Sequence, residues 1–213
     1  MTEDLIAALL TPTARGEVRD LAGTVFEEPV DLSGRQIGNV DLSRAIFAAP
    51  VLARDAVFTG LAWLRGAIFK SSVDFSSAIF CSDARFDSAV FTGEANFSGV
   101  EYRGIAAFDH AVFADAAFLD RMVCLANLSF DGATFDSALT LQDTECLGGF
   151  WANGTAFGRR TDVTGLEIYG RVWMRGAKLS SGEAMPQSLM AAMRRSGAAY
   201  FADNIASRAF DIV

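Results

Sequence analysis

The sequence predicts an all-β solenoid, and three observations predict it. The first is an excess of one ring: 18 Phe stand against 3 Trp and 3 Tyr in 213 residues. The second is their spacing. From Phe69 the rings fall at Phe75, Phe80, Phe86, Phe91, Phe97, Tyr102, Phe108 and Phe113, alternating steps of 6 and 5 in an 11-residue period. The third is the small residue two places before a ring, such as Ala67, Ala78, Ala89, Ala111, Ala84, Ala95 and Ala106. Residues two apart share one side of an extended segment, so each small-x-ring triplet sends both side chains inward. The Ser, Gly, Asp and Thr that follow turn the chain. An α-helix, at about 3.6 residues per turn, does not hold such steps in register. Units of this kind bury their rings only by stacking on one another.

The elements follow in chain order. Residues 1–29 are expected to cap the N-terminal end. Thr2-Glu3-Asp4 before Leu5, Ile6, Leu9 and Leu10 reads as a short helix with an N-cap and an acidic first turn, stopped near Pro12. Residues 30–181 are expected to form the solenoid. Cut at the period, the chain reads GAIFKSSVDFS, SAIFCSDARFD, SAVFTGEANFS and onward, and the frame runs back to Arg44 and forward to Leu179. Positions 4 and 10 of the unit are apolar throughout. Their Phe ladder includes Phe69, Phe75, Phe80, Phe86, Phe91, Phe97, Phe108, Phe113, Phe130 and Phe135. Five rings stand off these columns: Phe26, Phe118, Phe150, Phe201 and Phe210, the first of them ahead of the repeats. Residues 182–213 have helical spacing at Leu189, Met190 and Met193, and again at Tyr200, Phe201, Ile205 and Phe210. They read either as a helical cap over the last coil or as a dimerisation segment.

The stretches AIFCS, ARFDS, AVFTG, ANFSG and AVFAD resemble the unit of the pentapeptide-repeat family. The resemblance covers about residues 30–181 and implies a right-handed quadrilateral β-helix with four short faces per coil. Here every second unit carries one extra residue and Phe replaces Leu at the centre. Four faces then give a 22-residue coil, and a flattened two-faced coil of 11 is the alternative. The larger coil is favoured because opposed Phe rings need flanking walls. It gives about seven coils rising ~4.8 Å each. In the larger coil Cys124 and Cys146 are vertical neighbours. The resemblance also implies pairing through the C-terminal end, and it points to relatives that imitate DNA and protect type II topoisomerases.

Composition narrows the function. Net charge is −8, concentrated in residues 66–153, while residues 154–213 carry +3. A direct nucleic-acid binder needs a basic face, so none is expected. A lone His110 at a predicted corner and three separated Cys offer no catalytic group, metal site or cofactor site. No phosphate-loop motif occurs. No apolar run reaches the ~20 residues of a membrane span, so no membrane insertion is expected. The acidic start and unpaired Cys are those of a cytoplasmic protein.

What remains is a non-catalytic protein-binding or scaffold module, the alternative being a DNA mimic of DNA gyrase or a related type II topoisomerase. Three column sets are candidates. Asp87, Asp109 and Asp131 would stack as an acidic ridge, unless Asp stands there for its local backbone bonds. Ile46, Ile68, Val90 and Val112 would form an apolar docking stripe, unless they serve strand propensity alone. Trp63, Trp151 and Trp173 share one 22-residue phase and are candidate interface aromatics.

Overall fold

The computed structural model describes residues 2–11, 16–183, 189, 200 and 201. From Arg19 onward the chain winds through two-residue strands that pair in parallel with the coils above and below, in four sheets of nine, eight, seven and seven strands. The first face begins at Arg19–Asp20, the second at Val25–Phe26, the third at Val30–Asp31 and the fourth at Gln36–Ile37. Ile68 pairs with Val90, Val73 with Ala95, Ile79 with Glu101 and Ala84 with Ala106. One coil is therefore 22 residues. Cys124 pairs with Cys146, which rules out the two-faced coil.

The core follows from which strand residue turns inward. On the second and fourth faces it is the second residue, as in Ile68–Phe69 and Ile79–Phe80. On the first and third faces it is the first residue, as in Ala62–Trp63 and Val73–Asp74, with another buried side chain two places on. Both ring columns expected from the sequence are buried from Leu42 to Met174. Within a column the rings stack at the coil rise: Phe69 on Phe91 at 4.9 Å, Phe91 on Phe113 at 4.6 Å, Phe86 on Phe108 at 4.9 Å. Between columns they meet edge-on, Phe86 against Phe97 at 5.5 Å and 82°. Both are preferred aromatic geometries.

The corners have a fixed conformation. Position 1 of all thirteen units, from Arg44 to Gly176, lies in the left-handed region, with φ between 52° and 75°. Six of these are Gly, but Arg44, Asp55, Ser77, Ser88, His110, Arg121 and Asp143 accept a strain of ~1 kcal/mol each. The ladder holds them there, since the amide of each such corner, Arg44, Ser88 and His110 among them, bonds a carbonyl of the next coil.

The repeats start earlier than residue 30. Strands at Arg19–Asp20 and Val25–Phe26 already belong to the sheets, and Phe26 is the first rung of the ring column, stacked on Phe47 at 4.7 Å. The first coil is one residue short: Gln36 pairs with Val57, 21 residues on, whereas Val40 pairs with Ala62, 22 on. The turn at Gly38–Asn39 absorbs the deletion, with Asn39 donating to Glu17 O and accepting from Leu61 N. Helix α1 (Thr2–Leu10) covers this end, burying Leu9 and packing Leu5, Ile6 and Leu10 on the core.

At the other end, Leu189 is helical and packs against the core. Tyr200–Phe201, expected to be helical, instead pairs as a strand with Val172–Trp173 on the first face. The last coil of a solenoid ends in a strand edge on which a further strand can pair. The other expectations for residues 184–213, the rest of the cap and the dimerisation segment, lie outside the described residues. Phe118 points outward on the third face, whereas Phe150 is fully buried on the first, in a slot held by Ala62, Ala84 and Ala106 in earlier coils and by Leu128 and Val172 next to it.

One core residue is polar and unsatisfied. Tyr102 is fully buried on the Phe80 ring at 5.1 Å, below Cys124, and its hydroxyl has no partner among the described residues. Burial pushes its phenol well above the ordinary value. Tyr102→Phe should therefore stabilise the protein by about 1–2 kcal/mol, read as a higher urea midpoint. A lower midpoint would show that the hydroxyl is satisfied after all.

Candidate functional site

The coil geometry turns residues 22 apart into vertical columns, so surface function is a matter of which columns are exposed. The stacked carboxylates come first. Asp87, Asp109 and Asp131 occupy successive coils at the corner after the first face and are half-buried. Each has local work. Asp87 is paired with Arg85 at 2.9 Å, with Arg65 3.7 Å away. Asp109 accepts from the Ser129 hydroxyl and the Asp131 amide. Asp131 accepts from the amide and side chain of Asn153, whose own carbonyl oxygen takes the Arg175 amide at 2.9 Å. The column thus runs Arg65, Asp87, Asp109, Asp131, Asn153, Arg175, with a cation at each end.

The apolar stripe is real as a geometric feature. Ile46, Ile68, Val90 and Val112 are successive rungs of the second face, pointing outward and half-buried. The three Trp lie on the first face but do not form one group. Trp151 and Trp173 are on adjacent coils with rings 6.5 Å apart. Trp63 is four coils below Trp151, under the Arg65 guanidinium at 5.9 Å. His110 is an exposed corner residue whose imidazole leans over Gly132. Cys124 and Cys146 are buried, and the Cys146 hydrogen bond together with burial pushes the Cys124 thiol well up. Among the described residues no group of three or more His, Cys, Asp or Glu could hold a metal ion. No described helix is long and apolar enough to cross a membrane.

The structure adds a column that sequence reasoning missed. Leu125, Leu147 and Tyr169 follow the strands of the fourth face, 22 residues apart, with exposures of 44%, 46% and 57%. They turn toward the corner leading to the first face, where Trp151 lies four residues beyond Leu147 with its indole folded back over Gly149. Of the seven exposed large apolar residues among those described, five (Leu125, Leu147, Trp151, Tyr169, Trp173) thus line one corner of the C-terminal half. Beside them on the fourth face stand Glu145 and Glu167, the latter accepting from the Tyr169 hydroxyl at 2.7 Å. The 22-residue spacing was the available signal, masked because the same column starts with Thr59, Cys81 and Arg103.

A stack of parallel two-residue strands with one small-x-ring triplet per face defines a β-solenoid of about seven coils that presents surfaces rather than a cleft. Residues 53–101 match the family model described as "Pentapeptide repeats (9 copies)". The same unit geometry continues through Leu179. No curated protein sequence matches the chain. Among solved structures it is similar to a trypsin-treated form of QnrB1, a plasmid-mediated fluoroquinolone resistance protein. Identity is 18% over 84% of this chain and 90% of that one, with a TM-score of 0.30.

Proposed function

We propose that the protein is a non-catalytic binding module that docks a protein partner on the apolar corner of its C-terminal half. The carrying observation is the alignment of Leu125, Leu147 and Tyr169 with Trp151 and Trp173 on a backbone held by coil-to-coil ladders. Exposed contiguous apolar surface rimmed by charge is costly to keep in water and marks interaction sites. Aromatic anchors on a rigid support give up little conformational entropy on binding. The neighbouring Glu145 and Glu167 favour a partner with basic residues beside its apolar ones.

The test is site-specific photo-crosslinking in cells. A crosslinker at Leu147 or Trp151 should give one discrete protein adduct, and the same group at exposed Glu94 should not. Equal adducts at all three positions, or none, would overturn the reading.

A second reading, a rod that imitates DNA before a type II topoisomerase such as gyrase, is favoured by the vertical column of Asp87, Asp109 and Asp131. Asn153 occupies that column with the same amide-accepting role, so Asp109→Asn and Asp131→Asn remove charge while keeping the acceptor. In a supercoiling assay the wild-type chain should inhibit the enzyme and this double variant should lose the effect. Inhibition unchanged by the variant would sink the mimic while leaving the apolar corner untouched.

A further inference from the structure

The corner between the second and third faces is hollow in its last coils. Elsewhere in this column the residue after the ring donates its amide to the coil below: Thr92 to Phe69, Ala114 to Phe91, Asp136 to Phe113, Ser180 to Phe157. Gly158 makes no such bond among the described residues, and the ring spacing opens from 4.6 Å at Phe113–Phe135 to 6.1 Å at Phe135–Phe157. Gly158 also places no side chain between Asp136 below it and Ser180 above it, and a Cβ there would run into the Ser137 carbonyl. The result is an open hollow of about 480 Å³ lined by Asp136, Ser137, Arg159, Arg160, Ser180 and Ser181.

Its lining is a donor set. Arg159 is stacked between Ser137 and Ser181 of the neighbouring coils, and Arg160 follows it at the corner. Both guanidiniums are exposed and neither makes an ion pair among the described residues, although the chain as a whole is acidic. Ser137 and Ser180 add hydroxyls from two coils, while Ser181 donates its own to the Glu183 carboxylate at 3.0 Å. Two planar guanidiniums with adjoining hydroxyls match the tetrahedral oxygens of a phosphate. Asp136, the one carboxylate in the lining, and Glu183 beside Ser181 oppose the anion and set a limit on affinity.

We propose that this corner binds a phosphate-class oxyanion, either the free ion or the phosphate group of a small monoester. The site is independent of the apolar corner, which lies between the fourth and first faces.

The experiment is an amide-resolved NMR titration of the full chain with inorganic phosphate and, separately, glycerol 3-phosphate. Shifts confined to residues around Gly158 should saturate with a dissociation constant near ~1 mM. Tighter binding of the monoester assigns the site to a small-molecule phosphate, and tighter binding of the inorganic ion to free phosphate. The double variant Arg159→Ala/Arg160→Ala, which removes only exposed side chains, should weaken binding at least about tenfold, while Asp136→Asn should tighten it about threefold. Shifts that do not saturate, that survive in the double variant, or that weaken in Asp136→Asn would overturn the assignment. The opposite signs of the two variants separate a binding role from damage to the fold.

Discussion

Phe86→Ala should be among the most damaging single substitutions in the molecule, lowering stability by about 3–5 kcal/mol. Phe86 stacks on Phe108 at 4.9 Å and meets Phe75, Phe80, Phe91 and Phe97 at 5.5–6.2 Å, so its ring joins all four columns. Truncation leaves a cavity that the neighbours cannot close, since each is held to the coil rise by its own strand ladder. In a stacked array the loss falls on the coil interfaces on either side. The urea midpoint should drop sharply, and amide exchange should accelerate first around residues 75–108. Phe118→Ala, at an outward ring on the third face, should cost only about 1 kcal/mol. Comparable losses at the two positions would contradict the inward assignment.

Gly104→Ala should cost about 2–4 kcal/mol, although it adds a single methyl at a half-buried turn. The new Cβ would stand 2.5 Å from the Ser82 carbonyl carbon and 2.6 Å from the Asp83 amide nitrogen. Both atoms are backbone, so the coils themselves must separate. Separation would also stretch the 2.9 Å bond from the Ile105 amide to the Asp83 carboxylate, which closes the same corner. Thermal melts compare this variant with Gly154→Ala, where a Cβ meets nothing within 4 Å and only the left-handed φ of 66° opposes it. Gly104→Ala should lower the melting temperature clearly more. The reverse order would show that corner conformation, not coil spacing, limits these turns.

The sequence was most legible where one physical requirement repeats. Inward rings every five and six residues can serve only a stack, so the period and the core columns followed from spacing, whereas the pairing of Cys124 with Cys146 needed the four-faced coil that the resemblance implies. It was least legible where one residue breaks the count. The missing residue at Gly38–Asn39 shifts every earlier position by one, so Phe26 seemed to precede a ladder that it in fact begins. Strand pairing at Tyr200–Phe201 was hidden for a different reason: the edge that recruits it belongs to Val172–Trp173, far back in the chain. The surface columns were half legible. Spacing brought Ile46, Ile68, Val90 and Val112 onto one face, but exposure depends on what flanks a column, and spacing does not carry that. Thus Leu125, Leu147 and Tyr169 were passed over, as was the hollow at Gly158, which exists because a side chain is absent.

Every column, and so both proposed sites, depends on the 22-residue coil. Spin labels at Lys70→Cys and Ser180→Cys, in a Cys81→Ser background, read it directly. Both positions are exposed and lie in the same column of the second face, five coils apart. Pulsed dipolar spectroscopy should give a backbone separation near ~24 Å, five rises of ~4.8 Å, before allowance for the label arms. A separation near ~48 Å, the ten layers of an 11-residue coil, would contradict it.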